Sequence, residues 1–525
     1  LMADTGKPAS TASVLNPDQL PIGSNFIAVG PSRSADQATR VCINSHQPWT
    51  GPVTWYEAHL ISEEGQNLYG GLFPGSPVIF LGHNENIAWG HTVNEPDLVD
   101  VFKLELNPAN PNQYKVDGEW LDLERSLAPL EIRLWGNFRW TVNREVLYSI
   151  YGPAMRVDDQ VFAIRYAGIG EFRQIEQWYR MGRARNLDEF KDAMRIHALA
   201  MFNTGYGDRD GNLFYSYNAL LPERADGHDW SGTVPGNTRD TLWTEYRPFD
   251  ELPIVENPKS SFIQNCNSDP FQTTTGEDNP DETAFSKNYG IEKWMTNRAR
   301  RAVELYGGDD SINHDEFFQY KYDKTYSEKS ELRMQVANFL DAQPESNGLK
   351  KELELLSQWN GEMAKDNRSA ALVLLTFRPR SNSSKRKTEH EQTLDQLQKA
   401  SEDLRKHFGR IDVEWGKVNR LVRGDKNLPL GGGPDTLRAI YGRPQEDGAL
   451  AGVAGDCFFQ FVEWDRDGKL QAWAINQFGS SPGNPDSPHH TDQAPLFAEE
   501  KLRKVPFTRD EVLANAKRTY RPIDL

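Results

Sequence analysis

The stretch that most constrains this chain is an apolar, strand-like run opened by a small residue and a serine: Gly23-Ser24-Asn25-Phe26-Ile27-Ala28-Val29-Gly30. A serine that becomes the first residue of a chain carries a hydroxyl nucleophile and a free α-amine together. Because an α-amine titrates at about 7.7 to 8.0, near neutral pH it accepts the hydroxyl proton directly or through one water. This catalytic interpretation of Ser24 requires cleavage of the Gly23–Ser24 bond. The alternative is a serine that merely begins a strand.

The residues before this run have the composition of a linker. Residues 1–23 are rich in Pro, Ser, Thr, Ala and Asp and show no apolar periodicity, which is typical of a segment without a core of its own. We therefore predict a linker or propeptide over 1–23 and a folded part over 24–525.

Apolar periodicity divides the folded part into a strand-rich opening, a helical middle and a strand-rich return. Short runs bounded by turn residues predict strands at 26–30, 40–44, 53–60, 77–81, 87–92, 99–106, 131–144, 161–166, 212–218 and 261–265. Helical spacing predicts helices at 175–181, 187–200, 296–306, 314–322, 328–342 and 348–358. Strand patterns return at 413–422 and 458–477, and a short helix is predicted at 508–517.

Composition excludes several classes of function. Lys and Arg total 59 against 76 Asp and Glu, a net charge of −17, so binding to nucleic acid phosphates is not expected. No run of 18 apolar residues predicts membrane insertion, and the first residues lack a signal peptide, although a fragment could have lost one. The three cysteines, Cys42, Cys266 and Cys457, are too scattered for a disulfide framework or a Cys-x-x-Cys metal site.

The composition changes sharply over 378–410, where a basic run leads into a charged helical pattern. A basic run beside a helix could bind an anion, but a solvated insertion or surface helix explains it as well. We predict a helical insertion here and assign it no function.

A second serine lies in a Gly-x-Ser-x-Gly match, Gly479-Ser480-Ser481-Pro482-Gly483. The nucleophile elbow of a conventional serine hydrolase needs a helix directly after the serine. Here Pro482, Gly483, Asn484 and Pro485 follow, which favours a turn. Ser481 remains the alternative nucleophile.

Five stretches in order resemble one family, the penicillin acylases and the related acyl-homoserine-lactone acylases. They are Gly23-Ser24-Asn25, Ser45-His46-Gln47-Pro48-Trp49, Gly82-His83-Asn84-Glu85-Asn86-Ile87-Ala88-Trp89-Gly90-His91-Thr92-Val93, Gln264-Asn265-Cys266-Asn267 and Asn297-Arg298-Ala299-Arg300. The resemblance covers almost the whole chain. It implies an α+β fold, the four-layer αββα sandwich of N-terminal nucleophile hydrolases. It also implies a large β subunit preceded by a linker, with an α subunit from the same precursor as its partner.

The same resemblance implies a catalytic set for amide hydrolysis. Ser24 is the expected nucleophile and its α-amine the base, with His46 close enough to orient that amine. The backbone N–H of Val93 and the side-chain amide of Asn267 are the expected oxyanion donors, and Arg298 is expected to orient the site. Each has a plainer alternative, such as a structural histidine or a surface cation. A catalytically silent binding protein on the same fold also stays open.

Substrate preference follows from four positions that match the family's acyl pocket, Gln47, Leu81, His91 and Trp178. The penicillin G enzymes present phenylalanine at the first two, so a phenylacetyl group should be selected less strongly here. We expect an aliphatic acyl group on an amide, carried by a small molecule such as an acyl-homoserine lactone or a penicillin. The length of the acyl chain is left open, because hydrophobic pockets discriminate by only about 1 to 3 kcal/mol per methylene.

A structural calcium ion is the one cofactor expected, and no organic cofactor is implied. Carboxylates three residues apart with a carbonyl between them suit a hard cation, and the resemblance assigns Asp97, Asp100 and the Val99 carbonyl to it. Further ligands would come from the α subunit. The alternative is a pair of solvated loop carboxylates. The resemblance also implies a periplasmic or secreted protein.

Overall fold

The computed structural model describes residues 23–342, 348–377, 389–481, 483–521 and 523. Apart from Gly23, the predicted linker lies outside the described residues, as does 378–388 of the basic segment. Among the described residues, no helix has the length and apolar character needed to span a membrane.

The described chain contains strands and helices throughout. The strands are β1 (Gly23–Val29), β2 (Thr39–Pro48), β3 (Tyr56–Ile61), β4 (Asn67–Leu72), β5 (Leu81–His83), β6 (Ile87–Thr92), β7 (Val99–Leu104), β8 (Leu106–Asn107), β9 (Asn110–Val116), β10 (Glu119–Asp122), β11 (Glu124–Trp135), β12 (Phe138–Ser149), β13 (Gly152–Val157), β14 (Gln160–Tyr166), β15 (Asn203–Asp208), β16 (Leu213–Tyr217), β17 (Thr233–Pro235), β18 (Ile254–Glu256), β19 (Phe262–Asn265), β20 (Asn419–Arg423), β21 (Lys426–Pro429), β22 (Ile440–Pro444), β23 (Leu450–Trp464), β24 (Leu470–Ile475) and β25 (Arg503–Lys504). The α-helices are α1 (Gln174–Arg183), α2 (Leu187–Met194), α3 (Asn297–Leu305), α4 (His314–Lys321), α5 (Glu331–Asp341), α6 (Lys350–Ser357), α7 (Ala370–Phe377), α8 (Glu389–Phe408), α9 (Trp415–Val418), α10 (Ala494–Ala498) and α11 (Arg509–Asn515).

Two large sheets form the centre of the fold. The first has nine strands along the path β19-β1-β2-β23-β20-β21, with β22 and β24 also paired to β23 and β25 paired to β24. The second has seven strands in the order β18-β16-β15-β6-β5-β4-β3. Strand β1 therefore lies inside the first sheet, between β19 and β2.

The two sheets pack face to face around the main hydrophobic core. Strands β1 and β2 contact β6 and β15 across the interface. The contact is so close that a Cβ atom on Gly205 of β15 would lie 2.1 Å from the Phe26 ring of β1. A glycine is required there because only a residue without a side chain admits the ring.

Helices cover the outer faces of both sheets. On the seven-stranded sheet, Phe190 of α2 packs against Tyr206, with ring centroids 4.8 Å apart. On the nine-stranded sheet, Phe318 of α4 stacks on Phe461 of β23 at 4.1 Å. The layers are thus helix, sheet, sheet and helix, which confirms the predicted α+β class and αββα sandwich.

A second core lies among helices α5 to α9. Helix α8 buries Leu397, Ala400 and Leu404 in it, so the expectation of a solvated surface helix is wrong for that face. Of its charged residues, Arg405 pairs with Glu352 of α6. Burial of one apolar stripe is what makes a helix of this charge stable in place.

A third, six-stranded sheet has the order β11-β12-β13-β14-β7-β17, and β8, β9 and β10 form a small sheet of their own. The buried side of the six-stranded sheet packs around Phe102, Tyr151 and Trp243. Strands β11 and β12 extend from this sheet as a long two-stranded ribbon, to which we return below.

Several predictions of secondary structure differ from the structure; for example, the strand predicted over 77–81 shares only Leu81 with β5. The helix predicted over 187–200 ends at Met194, and His197 adopts a left-handed backbone with φ of 51°. The strand predicted over 413–422 begins as the short helix α9. Strand β4 escapes prediction because Gly70 and Gly71 resemble turn residues. In fact a Cβ on Gly70 would lie 2.0 Å from the Leu81 carbonyl oxygen of the neighbouring strand.

Candidate active site

Ser24 lies at a place where the sheet is incomplete on one side. Strand β19 pairs with β1 only from Phe26, opposite Asn265, onward, whereas β2 pairs with β1 back to Gly23. On the β19 side, the backbone of Ser24 is bonded by side chains instead. Its N–H donates to Asn267 Oδ1 at 2.7 Å and its carbonyl accepts from Arg298 Nη1 at 2.7 Å.

The Ser24 hydroxyl points at the peptide bond whose cleavage the catalytic interpretation of Ser24 requires. Gly23 and Ser24 are joined in β1, and Ser24 Oγ donates a hydrogen bond to the Gly23 carbonyl oxygen. Ser24 is 4% exposed, so its hydroxyl is held against this carbonyl in a buried setting. Because Gly23 and Ser24 are joined, the nitrogen of Ser24 is an amide here.

Asn267 reaches Ser24 because the backbone turns after β19 ends at Asn265. Asn267 has a left-handed φ of 59°, which sends its side chain to Ser24 while Asn265 stays inside the core. Asn265 Oδ1 accepts from the Asn267 N–H at 3.0 Å. Of the two asparagines, only Asn267 contacts Ser24.

Val93 follows β6 directly and meets the same asparagine. Its carbonyl oxygen accepts a hydrogen bond from Asn267 Nδ2 at 2.7 Å. An amide nitrogen carries two hydrogens, so one remains for an oxyanion. The structure therefore brings both predicted oxyanion residues together beside Ser24.

Arg298 joins the pieces of the site. It lies in the first turn of α3, whose N-cap Thr296 accepts from the Ala299 N–H at 3.1 Å. The buried guanidinium donates to Asn25 Oδ1 at 2.7 Å and to Asn267 Oδ1 at 3.1 Å, besides the Ser24 carbonyl. The sequence prediction that this arginine orients the site agrees with these contacts.

Asp435 holds Arg298 and was not predicted from the sequence. Its Oδ1 accepts from Arg298 Nε at 3.0 Å, and its Oδ2 accepts from the Asn297 N–H at 2.8 Å. Burial lowers the pKa of Arg298, but the charge of Asp435 outweighs this and leaves it raised. The pair thus keeps the guanidinium charged and fixes its plane.

His46 lies beside the scissile bond but does not bond Ser24. It is the cross-strand neighbour of Gly23, and its Nε2 lies 2.9 Å from Asp456 Oδ1 and 3.0 Å from Asn44 Oδ1. Both partners are acceptors, so Nε2 carries the proton. Nδ1 is buried without a hydrogen-bond partner in the part of the chain that is described. Burial lowers the pKa of His46 to about 4, so the ring is neutral near pH 7.

A buried charge cluster, absent from the sequence prediction, supports His46. Asp456 Oδ2 accepts from Lys321 Nζ at 2.6 Å and from Arg438 Nη1 at 2.7 Å. Burial alone would raise the pKa of Asp456, but Lys321 and Arg438 hold it well below its usual range. No motif signals these residues, because they come from three distant segments.

Two of the four predicted pocket residues contact each other. Trp178 Nε1 donates to His91 Nε2 at 3.1 Å, and His91 Nδ1 lies 3.1 Å from Thr204 Oγ1. Burial lowers the pKa of His91 to about 4, so it acts here as a neutral acceptor. The Phe80 ring, not predicted, lies 4.5 Å from the Trp178 ring. These rings form an uncharged aromatic wall.

The other two pocket residues are placed but not joined to that wall by a hydrogen bond. Leu81 is buried in β5, and Gln47 is half-buried in β2 opposite Gly455. Gln47 stands two residues beyond Ser45, the cross-strand partner of Ser24.

Ser481 lacks the setting of a nucleophile elbow. Turns follow it, and the next helix, α10, begins only at Ala494. The Ser481 N–H donates to the His489 carbonyl at 3.1 Å, but in the described segments its hydroxyl has no hydrogen bond to a histidine. It lines a cavity of about 470 Å³ with Trp49 and Trp55.

The predicted calcium ligands are engaged by an arginine. Arg224 Nε donates to Asp100 Oδ2 at 2.9 Å, and Nη2 lies 3.3 Å from Asp97 Oδ1. Asp100 Oδ1 is buried and has no partner among the described residues. Within those residues no group of three or more His, Cys, Asp or Glu could hold a metal. Since calcium takes about six to eight oxygens, the described residues alone do not fit it.

Comparison with known proteins places this geometry in a family. Residues 2–514 match the family model described as Penicillin amidase. An acyl-homoserine lactone acylase PvdQ of Pseudomonas fluorescens is 23% identical over 552 residues, covering 94% of this chain and 69% of the relative. A penicillin G acylase of Escherichia coli is 29% identical over 255 residues, covering 48% of this chain and 29% of the relative.

A solved structure supports the fold independently. The thermostable penicillin G acylase from Alcaligenes faecalis matches with a TM-score of 0.68 at 18% identity, covering 95% of this chain and 99% of that chain. The likeness extends over all four layers, so it supports the αββα architecture. Because the family model spans nearly the full length, this chain belongs to the penicillin amidase family and is a hydrolytic enzyme.

Proposed function

We propose that this protein is a self-processing acylase in which Ser24 first cuts its own chain and then hydrolyses the amide of an N-acylated small molecule. The observation that carries the proposal is the environment of Ser24. Its hydroxyl lies against the Gly23 carbonyl, while Asn267 and Arg298 take the backbone groups that a further strand would otherwise pair.

Maturation follows from this contact. Ser24 Oγ attacks the Gly23 carbonyl carbon, the bond from that carbon to the Ser24 nitrogen breaks, and the nitrogen takes up a proton to become an amine. Water then hydrolyses the resulting ester, which releases the Gly23 carboxylate and restores the hydroxyl. Ser24 is left with nucleophile and base on one residue.

Turnover repeats the same chemistry on a substrate amide. The α-amine accepts the Ser24 hydroxyl proton as Oγ attacks the amide carbonyl. The Val93 N–H and the free hydrogen of Asn267 Nδ2 stabilise the oxyanion. The leaving amine receives the proton from the ammonium, and water cleaves the acyl ester on Ser24.

The substrate class rests on the pocket and on the relatives. The wall of His91, Trp178 and Phe80 is aromatic and uncharged, which suits an apolar acyl group. Two relatives carry the names acyl-homoserine lactone acylase and penicillin G acylase. We propose an N-acyl-homoserine lactone or a penicillin with an aliphatic side chain as substrate, an α subunit as partner, and a periplasmic or secreted location. Calcium binding stays a prediction that needs ligands from outside the described residues.

The test is to co-express the chain with its upstream segment and to compare the parent with Ser24→Ala. We expect the parent to yield a chain beginning at Ser24 by intact mass and N-terminal sequencing, and to release fatty acid from acyl-homoserine lactones. Ser24→Ala should remain uncut and inactive, and Ser481→Ala should behave as the parent. Activity that survives Ser24→Ala and disappears with Ser481→Ala would instead identify the conventional serine hydrolase. Neither cleavage nor hydrolysis in a folded parent would favour a binding protein.

A further inference from the structure

The ribbon of β11 and β12 extends beyond the sheet that carries it. The two strands pair along their length, from Glu124 opposite Tyr148 to Trp135 opposite Phe138. Strand β12 pairs with β13 only over Leu147–Ser149. In the described structure the rest of the ribbon has no other strand beside it.

Over residues 130–133 and 139–142 the ribbon has one apolar face and one polar face. Cross-strand partners share a face and successive residues alternate between faces. One face carries the pairs Leu130 with Val142 and Ile132 with Trp140. The other face carries the pairs Glu131 with Thr141 and Arg133 with Arg139, and Arg139 Nη1 bonds Glu131 Oε2 at 3.0 Å.

The apolar face is exposed in this chain. Trp140 is 58% exposed, and the stacked rings at the tip, Trp135 and Phe138, are 70% and 53% exposed. Leu130 and Ile132 are also exposed, and no hydrophobic cluster of the described residues includes them. A two-stranded ribbon is marginally stable alone, and contiguous apolar patches of this kind mark interaction sites.

We propose that the apolar face of the ribbon is the docking surface for the α segment of the precursor. This rests on the proposed partner. The chain is 94% covered by its match to the acyl-homoserine lactone acylase but spans only 69% of that relative's length. The relative therefore contains a further segment. A segment of this kind would bury the exposed apolar face of the ribbon.

Charge favours a different chain over a second copy as the occupant. The chain carries a net charge of −17, so two copies repel each other. The ribbon itself is not acidic, since it holds four arginines against three glutamates between residues 124 and 149. A segment of lower negative charge can approach the ribbon without that repulsion.

The test uses three variants that differ in the face they change. Trp140→Lys and Ile132→Lys place a charge on the apolar face, and Thr141→Lys places one on the polar face, opposite Glu131. The full chain is combined with the separately expressed, tagged α segment, and the dissociation constant is measured. Because the three substituted residues lie outside the hydrophobic cores, circular dichroism and thermal unfolding should show all variants folded.

We expect Trp140→Lys and Ile132→Lys to weaken binding by about tenfold or more and Thr141→Lys to leave it unchanged. Equal binding by all variants overturns the docking surface while leaving the partner in place. No binding by the parent chain overturns the partner as well. If light scattering shows the parent to be a dimer that Trp140→Lys dissociates, the occupant is a second copy and the proposal is wrong. Hydrolysis is not a readout here, so failure of the proposed activity stays distinguishable.

Discussion

Replacing Arg298 by lysine tests how much of the chemistry depends on the guanidinium. The arginine reaches Asp435 with Nε, Ser24 and Asn25 with Nη1, and Asn267 with Nη2. Lysine keeps the charge but has one nitrogen, which cannot span these acceptors. Hydrogen bonds to charged groups contribute about 1.5 to 3 kcal/mol each. Loss of the bond to the Ser24 carbonyl, which fixes the backbone of the nucleophile beside the Gly23–Ser24 bond, should therefore slow cleavage of that bond by about 10- to 150-fold.

The assay is a time course of precursor cleavage followed by intact mass, with urea unfolding to compare stability. Arg301→Lys is the matched control, because Arg301 lies on the same helix but pairs with Asp323 and Glu304. We expect it to cleave at the parent rate. If Arg298→Lys also cleaves within about threefold of the parent while folded, the guanidinium does not orient the scissile bond and the reasoning is refuted.

The remaining predictions concern the residue that leaves, the pH dependence and the metal. A Cβ on Gly23 would lie 2.8 Å from Asn267 Oδ1, so Gly23→Val should slow cleavage of the Gly23–Ser24 bond by about tenfold or more. The activity of any mature enzyme should be unchanged. Equal cleavage rates in the variant and the parent would contradict this prediction. Burial lowers the pKa of His46 to about 4, that of His83 to about 3 and that of His91 to about 4. Their native pKa values lie below the unfolded value, so stability is present above about pH 6.5 and is lost as the pH falls towards 4, by about 1 to 2 kcal/mol each down to pH 5. Glu292, whose pKa burial raises to about 7, offsets part of this loss. Urea unfolding at pH 7 and pH 5 measures the net decrease in the free energy of unfolding, and this decrease should be smaller in His91→Gln. Finally, we expect calcium to bind the Asp97–Asp100 loop only with the α segment present. Metal analysis of chain and complex before and after chelation checks this, and calcium on the isolated chain would contradict it.

Local sequence was sufficient for features that depend on one element. Strand β6 was predicted residue for residue, since a mostly apolar run at 87–92 is bounded by turn residues. Ser24 and Arg298 were found because each lies in a short motif at the start of its element. The αββα fold came from the resemblance, since the same strands could in principle pair in other orders.

Features that depend on tertiary contact were missed. Asp435 lies 137 residues from Arg298 and Asp456 lies 410 residues from His46, and neither aspartate belongs to a motif. Strand alternation would place residues 265 and 267 on one face, yet the left-handed φ of Asn267 separates them. Alternation over 131–144 predicted one strand, but a turn at Gly136 and Asn137 divides this stretch between β11 and β12. Alternation also did not show that the outer ribbon has no neighbouring strand.

The missing length of β19 explains how one site can serve both cleavage and turnover. If β19 continued beside Ser24, its backbone would take the Ser24 N–H and carbonyl and fix the scissile peptide in a ladder. The side chains of Asn267 and Arg298 bond these two groups instead, and both side chains remain in place after the bond is cut. Asn267 Oδ1 then faces the new amine, and the nearby charge of Arg298 disfavours its protonation. A chain expressed to begin at Ser24 bypasses cleavage. In that chain Arg298→Gln, which removes the charge, should still lower kcat and shift its pH profile towards higher pH. An unchanged profile would mean that Arg298 acts on maturation alone.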